Sequence, residues 1–105
     1  MAWIVLFAAG FLETGWALGL KRFAEHPSLA LIVSIIAMMG ASLAGLTFSM
    51  KHLPLGVAYP IWTGIGATGS VIIGAVLLKE TVGLSTIVGV MLLCAGMVLI
   101  GAESH

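Results

Sequence analysis

Aspartate is missing from this chain of 105 residues, and charge of either sign is scarce: four basic side chains balance four glutamates. No basic patch is available to grip nucleic acid, and no acidic run to draw in a charged partner. The single cysteine, Cys94, excludes a disulfide framework and, set in an apolar run, reads as a small buried hydrophobe. What remains is apolar: 61% of residues, with a mean hydropathy of +1.24. That composition belongs to an integral membrane protein. The N-terminus has no basic opening segment and no small-residue cleavage site, and Glu13 interrupts its apolar run, so it reads as mature structure rather than a removable signal.

Charges and prolines divide the chain into four apolar stretches, at about residues 3–20, 29–50, 57–78 and 84–102, with polar breaks at KRFAEHPS, KHLPLG and KETVG. Each stretch is near the length of about 20 residues that a helix needs to cross the hydrocarbon of a bilayer. Lipid cannot satisfy free backbone groups, so spans of this kind are helices. The expected fold class is an all-α membrane protein, a single domain of four transmembrane helices running up and down.

An even number of spans puts both termini and Lys51 on one side, and Lys21, Arg22 and Lys79 on the other. That bias is small for a positive-inside decision, and the N-terminal amine narrows it further. Insertion in both directions is therefore open to the chain, and two oppositely inserted copies would pair antiparallel. One protomer of four short helices fills its own centre, whereas eight helices leave room for a polar cavity. On the fourth span Gly89 and Gly96 lie seven apart, hence on one face, with Gly101 close by. Small residues there suit dimer packing.

GIGATG at Gly64–Gly69 has the spacing of a dinucleotide fingerprint. It lies inside a span and follows no strand, so nucleotide binding is rejected in favour of close helix packing and a bend. The six methionines read as core filler. His26 and His52 fall in loops and His105 at the terminus; no metal-ligand cluster, nucleophile with a base, or cofactor motif is present. A transporter is expected rather than an enzyme.

Glu13 carries the chemistry. A carboxylate in the middle of a membrane span is expensive and marks an ion or substrate route. Gly10, Glu13, Trp16 and Leu20 share one helical face, with Gly10 expected to leave open space beside the acid. Met39 and Ser42 on the second span, and Tyr59, Trp62 and Gly66 on the third, form further stripes. Ser42 O–H, Tyr59 O–H and the indoles of Trp16 and Trp62 are donors able to meet one acid. The plainer alternatives are that Trp3 and Tyr59 sit in an interfacial aromatic belt and that Ser42 bonds back to its own helix. Leaving water disfavours the charged form of an acid, and two facing acids titrate as a coupled unit. A site able to hold either a proton or a cation, but not both, gives antiport.

These residues resemble the small multidrug resistance family of bacterial transporters over nearly the whole chain. The resemblance rests on Glu13, on LPLGVAYPIWTGIGATGS through the third span, and on a glycine-bearing fourth span. The opening MAWIVLFAAGFLETGWALGLK is most similar to the guanidinium-exporter subtype; drug exporters typically have glycine at the position of Trp16. The resemblance implies an antiparallel, dual-topology homodimer in the bacterial inner membrane, with guanidinium-like cations and protons as ligands of the Glu13 pair. It implies a network of Trp16, Ser42, Tyr59 and Trp62 around that pair, lined by Gly10 and Met39. Two rival readings keep other cargo or none: a quaternary-ammonium exporter, and a non-transporting subunit or half of a heterodimer. Pro60 departs from the family pattern, which usually has a small residue there, and no basic residue stands near the end of the fourth span.

Overall fold

A computed structural model describes residues 1–103; His105 lies outside the described residues. Four helices follow one another: α1 (Ala2–Glu25), α2 (Leu29–Met50), α3 (Leu55–Val76) and α4 (Leu84–Ala102). No strand occurs among the described residues. All four are long and apolar enough to cross a membrane.

Local chemistry sets their ends. α1 runs past the first charges because Lys21–Glu25 are tolerable helix formers; Pro27 stops it, since the residue before a proline is pushed out of the helical region. His26 accordingly has φ −139° and ψ 80°. Ser28 caps α2, its hydroxyl accepting from Leu31 N–H at 3.1 Å. Pro54 precedes α3, and its carbonyl accepts from the N–H groups of Val57 and Ala58 at 3.1 and 2.9 Å. Pro60 sits inside α3 in its second turn, where the missing donor costs the one helical bond that would reach back to the Gly56 carbonyl. After α3 the chain turns back through Lys79, whose φ of 56° is left-handed.

The core joins three helices. Leu6 and Ala9 of α1, Leu46 of α2, and Val57, Ala58, Ile61 and Trp62 of α3 form one buried cluster. α1 and α2 approach closely where small residues meet, with a Cβ at Gly45 falling 3.0 Å from that of Ala9. Without a hydrophobic force between helices in lipid, such close packing is what holds them. α4 packs along α3 and has no buried residue. The protomer is a slab of 44 × 34 × 16 Å.

Candidate functional site

Glu13 lies between α1 and α3. Its carboxylate packs on Gly66 so closely that a Cβ at that position would collide with it. The neighbouring Thr14 is seated in the same way against Gly69, and its hydroxyl lies 3.4 Å from the Gly66 carbonyl oxygen. Gly66 and Gly69, three apart on α3, therefore form a notch that takes two successive side chains of α1. Gly64 of the same motif faces α4 instead, against Met97. The glycine run of α3 thus works by close packing on two faces, and its individual partners follow from how each helix is rotated.

One Glu13 oxygen, Oε1, is buried without a hydrogen-bond partner, and so is Trp16 Nε1 one turn further along α1. A buried polar atom left alone is costly, about 1–3 kcal/mol in protein interiors, and a buried acid more so. Thr68 Oγ1 on α3 is the third buried side-chain atom left without a partner among the described residues.

The donors expected around the acid are arranged differently. Trp62 Nε1 donates to Ser42 Oγ at 3.0 Å, and Ser42 Oγ donates to the Ala9 carbonyl at 2.6 Å. Both side chains are buried, and the relay ties α3 through α2 to α1 one turn before Glu13. Within a protomer Ser42 bonds neither to the acid nor back to its own helix. Tyr59 is half-exposed, its ring 5.6 Å from that of Trp62. Met39 is partly buried on α2. The open space expected beside Gly10 is absent: Ile65 of α3 fills it, 2.7 Å from where a Cβ would stand. The bare glycine brings α1 and α3 together there instead of leaving a hollow.

Gly89 and Gly96 have no atom within 4 Å of a built Cβ. They border an open groove of about 610 Å³ between α3 and α4, lined also by Tyr59, Thr63 and Gly64. Among the described residues, no three of His, Cys, Asp and Glu come together as a metal site would need.

Residues 1–93 match the model of the family described as Small Multidrug Resistance protein. The chain belongs to that family. The small multidrug resistance match takes in Glu13 with its notch on α3, the Ser42–Trp62 relay and Gly89; Gly96 lies beyond it. Named relatives align over almost their full length. A protein named guanidinium exporter from Yersinia pseudotuberculosis is 48% identical over 100 residues, covering 93% of this chain and 94% of that one. A guanidinium exporter from Citrobacter freundii is 41% identical over 105 residues, covering all of both. A small multidrug resistance chain with four apolar helices is a multi-pass membrane transporter, and its described surface is apolar accordingly.

Thr14 and the notch at Gly66 and Gly69 escape a reading by side-chain chemistry. The one signal available is a hydroxyl next to the intramembrane acid, on a helix facing a run of glycines.

Proposed function

We propose that the protein is a proton-coupled guanidinium exporter of the bacterial inner membrane, working as an antiparallel homodimer. The observation that carries this reading is the Glu13 oxygen, buried at mid-span with no protein partner. An acid so placed is kept for a ligand it does not always hold. Guanidinium suits it: the cation is planar, permanently charged and weakly hydrated, and its paired N–H groups match a carboxylate. The relatives named guanidinium exporters support the same cargo.

The slab shape supports the dimer. A protomer 16 Å thin leaves one Glu13 oxygen without a partner, and α4 leaves an apolar flank unburied. A second copy would bring a second Glu13, and the two acids would titrate together. Exchange then follows from competition. The ionised pair holds guanidinium, the protonated pair cannot, and if the dimer turns over only when occupied, uptake of one ligand requires release of the other. Trp16, with its own unpartnered N–H, borders the acid, and Trp62 and Tyr59 supply aromatic walls.

Transport currents from purified protein in a supported membrane test this. Guanidinium should give proton-coupled currents, a bulky tetra-alkyl ammonium little or none. Glu13→Gln should fall to background while still inserting as a dimer, because an amide cannot alternate between proton and cation. Active transport surviving in that variant would refute the assignment.

A further inference from the structure

The groove between α3 and α4 is lined mostly by apolar side chains. A smaller chamber adds several polar side chains to its apolar wall. It lies between the C-terminal halves of α1 and α3, with a volume of about 130 Å³. Its lining includes Lys21 on α1, Glu80 in the loop after α3, the exposed Ser70 on α3 and the buried Thr14 on α1. Space of that size accepts about four waters at roughly 30 Å³ each, and water stays where polar groups can hold it. Lys21 and Glu80 are both exposed and opposite in charge, so their part of the lining is polar without a net charge to trap an ion.

The Thr14 and Ser70 hydroxyls converge on one atom. Ser70 Oγ donates to the Gly66 carbonyl at 2.7 Å, and Thr14 Oγ1 stands 3.4 Å from the same oxygen. The Glu13 carboxylate packs on that same glycine. The chamber therefore ends one residue away from the acid whose Oε1 lacks a protein donor. Buried polar atoms without a protein partner are met by water. Hydroxyls both donate and accept, which suits them to carry a proton between waters. Thr14, seated in the notch at Gly69, closes the inner end with a hydroxyl rather than an opening.

We propose that this chamber holds water and is the route by which protons reach and leave Glu13, apart from the path taken by the cargo. The idea rests on the proton coupling proposed above. A proton entering the chamber passes by exchange of O–H bonds. The last water gives up its proton as one O–H bond forms on the carboxylate, and the positive charge displaced is that of the departing cation.

Two measurements test it. In a Cys94→Ala background, Ser70→Cys should react with a small membrane-impermeant cationic methanethiosulfonate, since a thiol must reach water to ionise and react. Ile72→Cys, outside the chamber on the same helix, should not. An unreactive thiol at position 70 overturns the proposal. In reconstituted vesicles Ser70→Ala should slow guanidinium-driven proton flux several-fold while guanidinium affinity at alkaline pH is kept, and Ser70→Thr should restore the rate. Unchanged flux, or flux and affinity lost together, overturns the proton route. If the unmutated protein exchanges no protons for guanidinium, the functional reading fails, whereas thiol reactivity still decides whether the chamber is wet.

Discussion

Helix α1 buries Leu6, Ala9, Gly10, Thr14 and Gly19, while helix α4, the more apolar of the two, buries nothing. Both are rich in glycine. In α1 those glycines meet partners: Gly10 takes Ile65 and Gly19 takes Ile35. In α4, Gly89 and Gly96 meet nothing in the protomer. The contrast separates two properties that composition merges. Apolarity places a helix in the membrane, and complementary small and large residues decide what it packs against once there. α1 is matched to its own chain, where it can hold a carboxylate away from lipid. α4 is left to be matched by something else, which in the proposed reading is a second copy.

The same kind of change should therefore have opposite consequences on the two sides of the molecule. Gly66→Ala places a methyl group where the Glu13 carboxylate lies. Overpacking of that kind costs about 1–3 kcal/mol. Displaced from its seat, the acid should bind guanidinium about tenfold more weakly or worse, measured by calorimetry on protein that still inserts. Gly89→Leu with Gly96→Leu should do nothing to the fold of a protomer, because both positions are open. It should instead raise the dimer dissociation constant in detergent or lipid by about tenfold. A dimer indifferent to both leucines would mean that α4 does not face its partner there. Smaller again is Ser42→Ala. It removes the acceptor of Trp62 Nε1 and leaves the indole buried alone, at about 1–3 kcal/mol. Lower thermal stability is expected, with the Trp62 fluorescence altered.

Much of the framework was legible in the residues. Lys21 to Ser28, Lys51 to Gly56 and Lys79 to Gly83 separate four apolar runs, each of the length at which a helix crosses lipid with its backbone satisfied within the run. The exact end of α1 was harder: charges mark where lipid ends, yet the helix continues through Lys21–Glu25 until Pro27. Glu13 was legible because a lone carboxylate in an apolar run has few innocent explanations. Its surroundings were less so. Helical spacing puts Ser42, Tyr59 and Trp62 on inward stripes, but the partner each donor takes depends on helix rotation and on carbonyls that spacing cannot rank. Ser42 thus gives its proton to the Ala9 carbonyl and receives that of Trp62. Gly10 misled for a related reason. A missing side chain signals either a hollow or a close approach, and only the residue opposite, here Ile65, decides which.

The central claim is that one acid pair serves proton and cargo in turn. Linkage gives its sign: if protons and guanidinium exclude one another, each must weaken the other by the same factor. Protonation removes the charge that holds the cation, so affinity must fall as pH falls. Guanidinium binding to the purified dimer, followed between pH of about 6 and 9, should weaken toward acid with a slope approaching about tenfold per unit for each proton displaced. A binding curve that stays flat across that range would contradict competition at Glu13.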